Sequence, residues 1–322
     1  MKQNTKNRWY GNAALLLAAL IWGFAFAAQS VGMDYVGPFT FQSTRSILGF
    51  LATIGFVAIK NVLTKGNKTE QNVTKNNSTK DLLVSGTICG ILLTIASCLQ
   101  QFGILYTTVG KAGFLTSLYI LAVPLLGLFI GRKASKKLWG CILTACVGLY
   151  LLCIKGSFSI SLGDGLCLLC AVCFAFQIMV IDYYVDRVDG VKLACMEFLI
   201  SAVLSGIPMV VLEKPTMAMI LAAWMPIAYA GIFSSGMGYT LQIVGQKYAE
   251  PTTATLLMSL ESVFSVLGGF LVLGQKLTHW EAIGCVLMFA AVVAAQLPDG
   301  FFQTDKLFHS GVKNKYTQKE EI

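Results

Sequence analysis

Residues 12–29 read NAALLLAALIWGFAFAAQ and carry no formal charge. A helix crossing hydrocarbon needs about 20 mostly apolar residues, so this stretch is predicted to span a bilayer. Working outward, nine further runs of the same kind follow, at 39–59, 82–105, 112–130, 138–154, 164–185, 191–212, 217–244, 252–273 and 280–297. Composition agrees: hydrophobic residues make up 56% of the chain and charged residues 12%, against about 25% charged in soluble domains. Each run is predicted to be helical, because an unpaired amide in hydrocarbon costs several kcal/mol and the alternating polarity of a barrel strand is absent. The expected fold class is an all-α integral membrane protein with ten transmembrane helices.

Lys2, Lys6 and Arg8 ahead of the first run, with Ala25 to Ala28 behind it, have the outline of a secretory signal. Nine similar runs follow, and the Phe-Ala-Phe of 24–26 recurs at 174–176, so the first run is expected to be retained as part of the fold. The formal net charge is +8, yet Lys and Arg fall between the apolar runs and form no patch interleaved with aromatics. No nucleic-acid partner is expected; the lipid bilayer is.

Basic residues instead report topology through the positive-inside rule. With the N-terminus in the cytoplasm, the outer set is only Lys111, Lys155, Lys214 and Lys276. Arg45 lies within a span, and all other Lys and Arg fall inside. Both termini are therefore expected to be cytoplasmic, in the cytoplasmic membrane if the source is a bacterium. The division is a cytoplasmic N-terminus (1–11), a first half (12–154) with a mobile cytoplasmic loop at 60–81, a second half (155–298) and a polar cytoplasmic tail (299–322). The loop has sequons at Asn67, Asn72, Asn76 and Asn77, but its lysines place it away from glycosylation.

The halves resemble each other. Phe-Ala-Phe at 24–26 lies over 174–176, Gly140-Cys-Ile-Leu143 over Gly284-Cys-Val-Leu287, and Leu126–Gly131 resembles Gly269–Gly274. Two copies with five crossings each must face opposite ways, giving the two inverted five-helix repeats found in many secondary transporters.

These motifs lead to a family. Ala19-Leu-Ile-Trp-Gly-Phe-Ala-Phe26, Gly113-Phe-Leu-Thr-Ser-Leu-Tyr119 with Val123-Pro-Leu-Leu-Gly127, Gly238-Tyr-Thr-Leu-Gln242 and Leu256-Leu-Met-Ser-Leu-Glu-Ser-Val263 resemble the EamA family of the drug/metabolite transporter superfamily, over about residues 10 to 298. Two departures stand out: Ser262 where the family often has Pro, and Arg132 and Gln275 where an acidic residue often follows the Gly ending spans four and nine. The resemblance implies transport of a small metabolite, often export of an amino acid or related compound. Multidrug export and uptake are the alternatives within transport, and a non-transport scaffold or receptor is the alternative outside it. An enzyme is not expected: the chain has neither a His-Glu-x-x-His helix nor a Gly-x-x-x-x-Gly-Lys-Ser/Thr loop.

Charges in lipid cost from about 2.5 kcal/mol upward and mark function by default. Arg45, Glu197 and Glu261 qualify. Glu261 shares a helical face with Ala254, Met258, Ser265 and Gly268, expected to line a cavity where the carboxyl contacts substrate or exchanges protons as the coupling ion. Its structural alternative is to cap a neighbouring helix break or to hydrogen-bond across a packed interface. Arg45 fits a substrate carboxylate through its fork of donors or a structural ion pair, and Glu197 occupies the equivalent place in the second half. Gln100, Gln101, Thr116, Tyr119, Tyr239 and Gln242, with Gln29 and Gln177, are expected to form a polar cage around a small-molecule substrate, with interhelical hydrogen bonding as the alternative. Trp22 and neighbouring aromatics line the pore or pack. Asp164, Asp182 and Lys111 are expected at the interfaces. The cysteines, including the triplet Cys167, Cys170 and Cys173, read as small buried apolar residues, so neither a metal nor another cofactor is expected. Pro124, Pro208 and Pro226 are expected to kink their spans, and Gly86 with Gly90 and Gly127 with Gly131 to permit close helix packing.

Overall fold

The computed structural model describes residues 2–64, 79–132, 135–153, 161–274, 276 and 278–297. The sequon-bearing stretch 65–78, Lys155, Gln275 and the tail from 299 lie outside the described residues. Among the described residues all regular structure is helical. The first run grows into α1 (Lys2–Gly32), longer than the apolar stretch because no Pro interrupts it. Then come α2 (Pro38–Thr64), opening on a Pro whose missing N–H costs nothing in a first turn, and α3 (Thr79–Tyr106). Span four is divided into α4 (Val109–Ser117) and α5 (Tyr119–Phe129), and span five is α6 (Lys136–Cys153). In the second half α7 (Leu162–Tyr184) and α8 (Gly190–Pro208) are spans six and seven. Span nine is divided into α12 (Pro251–Met258) and α13 (Glu261–Leu273), and span ten is α14 (His279–Gln296).

Among the described residues, seven segments are long and apolar enough to cross a membrane: Asn7–Gly32, Pro38–Ile59, Thr79–Tyr106, Val109–Phe129, Leu162–Tyr184, Gly190–Glu213 and Pro251–Leu273. Of the other three expected spans, five and ten are 18-residue helices, Lys136–Cys153 and His279–Gln296. Span eight, expected as one helix over 217–244, is α9 (Met217–Ala222), α10 (Trp224–Ala228), a π-helical stretch Tyr229–Tyr239 and α11 (Thr240–Gln246). Pro226 explains the first break, since its ring crowds the carbonyl four residues back, at Ala222, and the chain turns at Ala223. Pro208 is likewise followed by a π turn, Met209–Glu213.

The interruptions of spans four and nine occur at related places in the two halves. At both, three-residue hydrogen bonds tighten the backbone: Leu121 N to Leu118 O, Leu260 N to Leu257 O, and Ser262 N to Ser259 O. Gly131 and Gly274, paired by the sequence repeat, end α5 and α13 with φ of 79° and 64°, left-handed backbone that favours glycine. Gly131 therefore serves a turn, and a Cβ there would meet nothing within 4 Å; the close-packing role expected of it is not its role. Gly86 and Gly90 do pack closely: a Cβ on them would lie 2.5 Å from Met196 Cβ and 2.6 Å from Ile200 Cβ.

Between the halves, α3 packs on α7 and α8, α2 on α8 and the π-helical stretch, α1 on α13, α11 and the π-helical stretch, α7 on α4 and α5, and α6 on α14. The main core, including Leu93, Ile120, Phe198, Ile243 and Leu256, runs through these contacts. Large apolar side chains such as Phe129, Val210 and Leu271 point outward, the arrangement required when the surrounding medium is hydrocarbon.

Candidate functional site

A narrow cavity of about 40 Å³ lies at the centre of the bundle. That is room for one to three waters by volume (about 10–15 Å³ each on this measure) and far below the roughly 300 Å³ or more of an ordinary small-molecule pocket. The centre of the bundle is thus tightly packed. Its lining comes from both halves. Trp22 and Gln29 reach in from α1, Arg45 from α2, Gln100 from α3, Thr116 from α4 and Tyr119 from α5. The second half supplies Phe174 and Gln177 from α7, Ser234 and Tyr239 from the π-helical stretch, Gln242 from α11, Met258 from α12 and Glu261 from α13.

The interruptions of spans four and nine meet here. Ser117, the last residue of α4, donates from Oγ to Glu261 Oε1 at 3.3 Å, and the same hydroxyl lies 3.5 Å from Ser259 O. Glu261 is the first residue of α13, so its place is set by the break itself. Gln100 Nε2 donates to Thr116 Oγ1 at 3.2 Å, fixing α3 to α4. Gln242 Nε2 donates to Gln246 Oε1 at 3.0 Å, and Gln246 Nε2 to Ile178 O at 3.0 Å, fixing α11 to α7. Trp22 Nε1 donates to Ser234 O at 3.1 Å, and the Trp22 and Tyr239 rings meet edge to face with centroids 5.0 Å apart.

Several polar atoms of the lining are buried without a partner, namely Arg45 Nε and the side-chain oxygens of Gln29, Gln177 and Gln242, while the Tyr119 hydroxyl donates to Glu261. A buried polar atom left unmatched costs about 1–3 kcal/mol, and their concentration at one place makes this the candidate site. Arg45 is the extreme case. It is 3% exposed and has no ion pair among the described residues.

Of the residues singled out in the sequence, Trp22, Arg45, Gln100, Thr116, Tyr119, Tyr239, Gln242 and Glu261 are brought together here. Two are not. Gln101 Nε2 donates to Gln29 O at 3.3 Å, an interhelical role. Glu197, 0% exposed, takes a long 3.5 Å hydrogen bond from Gln177 and leaves Oε2 unpartnered one layer behind the cavity. The small face sharing Glu261 is only partly a lining: Met258 reaches the cavity, but a Cβ at Gly113 would strike Ser265 Oγ at 2.5 Å, so Ser265 packs against α4. Ser117 and Ser234 were not singled out, because one acts on a break and the other through its backbone carbonyl. The run Ser234-Ser-Gly-Met-Gly238, polar and small inside an apolar span, was the available signal.

The expected interfacial charges are paired. Asp164 accepts from Lys111 Nζ at 2.5 Å, Thr107 Oγ1 at 2.8 Å and Ser161 N at 2.8 Å. Arg132, which stands where the family often has an acid, pairs with Asp182 at 2.6 Å. A clamp that the sequence did not reveal is Glu213, which accepts from Phe39 N, Thr40 N and Thr40 Oγ1 at 2.9, 2.7 and 2.6 Å and so caps α2 from the far end of span seven.

A larger cavity of about 540 Å³ opens at the bundle end that carries Arg8, Arg132, Lys137 and Glu250. Val123, Pro124 and Met179 line it, the first two four and five residues along α5 from Tyr119 and the third next to Ile178 of the central cavity. Among the described residues, no three His, Cys, Asp or Glu side chains are grouped to hold a metal ion.

Comparison with known proteins gives this geometry a context. A solved crystal structure matches with a TM-score of 0.72 over 89% of this chain and 96% of the other, at 19% identity, a likeness of fold. Two proteins of Archaeoglobus fulgidus, each described as an uncharacterized transporter, are 28% and 24% identical over 291 residues. The alignments cover 90% and 86% of this chain and 87% and 94% of those proteins. The EamA-like transporter family matches residues 9–154 and 161–295. A multi-pass helical bundle with a polar cavity at its centre, matched by one transporter family along nearly its whole length, belongs to the EamA-like transporter family.

Proposed function

We propose that this protein is a secondary carrier that moves a small metabolite, an amino acid or a related compound, across the cytoplasmic membrane by alternating access, in the outward direction. The observation that carries the reading is the central cavity, walled by polar side chains from both halves and containing several buried groups without partners. A scaffold has no use for such a cavity.

Two inverted five-helix halves are supported by the packing. Exchanging each span for its counterpart five places on turns the α3–α7 contact into that of span eight with α1. It turns α3–α8 into span eight with α2, and α1–α13 into α7 with span four; α2–α8 and α6–α14 map onto themselves. The family match to each half separately points the same way. Sites at a repeat interface built from discontinuous helices are the usual arrangement in such carriers, and the breaks at Leu118 and at Ser259 to Leu260 supply them. The charge count puts both termini, and with them the large vestibule, in the cytoplasm. The closed centre beneath an open vestibule then reads as an inward-facing, occluded state.

The test is flux of labelled candidates in proteoliposomes of known orientation, measured in both directions with and without a proton gradient. Saturable flux that follows a gradient supports the reading, and binding without flux in either direction removes it.

A further inference from the structure

We propose that the cargo of the central cavity is an organic anion with a flat apolar part, its carboxylate or similar group held by Arg45. This rests on the carrier reading and narrows it, from amino acids and related compounds to those related compounds that lack the ammonium group.

The argument starts from which charges the site cannot remove. A guanidinium keeps its proton at any pH a cell reaches, whereas a buried carboxyl can become neutral by taking one up. Glu261 in the cavity and Glu197 behind it can therefore be present without charge; Arg45 cannot. A cation 3% exposed with no counter-ion among the described residues is costly, and an anionic ligand is the means of offsetting it. The Arg fork also matches a planar anion with two parallel hydrogen bonds.

Glu261 does not make the same demand for a cation. Its Oε1 already accepts from Ser117, and the Tyr119 hydroxyl donates to the same carboxyl. The unpartnered amide oxygens of Gln29, Gln177 and Gln242 can accept from a hydroxyl, an amide or another donor of the cargo, but among the described lining residues the charge that cannot be shed is that of Arg45. One part of the wall is aromatic: Trp22 is fixed by its bond to Ser234 O and abuts Tyr239, which is backed by Phe198 with centroids 5.4 Å apart. A planar apolar group fits that wall.

The route to the cavity has the same preference. Arg8, Arg132 and Lys137 line the vestibule against Glu250, with Asp182 held on Arg132. The positive-inside rule accounts for cations at that end; it does not require them to face a cavity, where low-dielectric walls focus their field and concentrate anions.

The test uses the full chain in lipid nanodiscs and three probes sharing one ring: 3-phenylpropionate, phenylalanine and phenethylamine, an anion, a zwitterion and a cation. Titration calorimetry should give 3-phenylpropionate a Kd at least tenfold below the other two. Arg45→Gln should erase that preference, and Arg45→Lys, which keeps the charge without the fork, should retain part of it. Equal or tighter binding of phenylalanine or phenethylamine, or no binding of 3-phenylpropionate, overturns the proposal whatever the variants do. Flux of the same probes in proteoliposomes, corrected against protein-free vesicles, separates the two readings. Transport of the amine or the zwitterion as fast as the acid sinks the anion proposal and leaves the carrier. Selective binding of the acid without flux upholds the anion site and sinks the carrier.

Discussion

The indole N–H of Trp22 donates to the carbonyl of Ser234, 3.1 Å away and 212 residues on in the chain. It ties the middle of α1 to a π-helical stretch, where backbone carbonyls are less completely used by the helix itself. Gly238 makes the contact possible, since a Cβ there would stand 2.6 Å from Trp22 Nε1. Trp22→Phe should keep the aromatic wall and lose the bond, at about 0.5–1.5 kcal/mol. The expected result is a fall of a few degrees in the unfolding temperature with a several-fold loss of flux; an unchanged flux would make the bond purely structural.

Glu261→Gln keeps the shape of the side chain and its contact with Ser117 but can no longer exchange a proton. The protein should fold with the wild-type unfolding temperature to within a degree or two. Net flux driven by a proton gradient should fall at least tenfold while substrate exchange at equal pH persists. If both kinds of flux survive unchanged, Glu261 has no part in coupling.

Gly90→Leu and Gly55→Ala should differ sharply. A Cβ at Gly90 would meet Ile200 Cβ at 2.6 Å, whereas one at Gly55 meets nothing within 4 Å. Overpacking of this sort costs about 1–3 kcal/mol, while Gly to Ala in an open helical position gains up to about 1 kcal/mol. Thermal unfolding in matched detergent should show a lower midpoint for the first and an equal or higher one for the second.

Asp164→Ala should cost more than Lys111→Ala. The carboxylate serves Lys111, Thr107 and the first turn of α7 together, and its side chain is 3% exposed against 30% for Lys111. Removing it leaves several donors short, about 1–3 kcal/mol if two are buried. Removing Lys111 leaves a carboxylate that still accepts from Thr107 and Ser161. Equal shifts in unfolding temperature would mean that the ion pair alone matters.

Cysteines placed at Lys65 and Lys276, in a background without native thiols, should label from opposite sides of the membrane. Lys65 belongs to the basic loop and Lys276 to the sparse outer set, so labelling from one side would undo the orientation.

How much of this was legible in the sequence follows from which interactions leave a pattern. The unbroken apolar runs that become α1, α2, α3, α7 and α8 announce themselves, since a lipid-facing helix must be apolar along its length. Arg45 and Glu261 were conspicuous for the converse reason, a charge where charge is costly. The division of span eight was hidden, because Pro226 marks a kink but not whether the chain resumes as α or π helix. The clamp of Glu213 on α2 was hidden too: a carboxylate near a span end reads as interfacial, and its partners are backbone amides, which every residue has. Glu197 shows the limit of pattern reasoning in the other direction. Its place equivalent to Arg45 was visible in the repeat, but whether a helix face turns toward the cavity or one layer behind it is decided by packing.

The carboxylate of Glu213, folded over Phe39 and Thr40, makes the last turn of one span and the first turn of another into a single hinge plate. Gly37 belongs to the same fitting, since a Cβ there would sit 2.4 Å from the Glu213 carboxyl carbon. In the proposed carrier, a movement at this end of the bundle would carry both spans together, a pair of helices drawn from different halves of the chain.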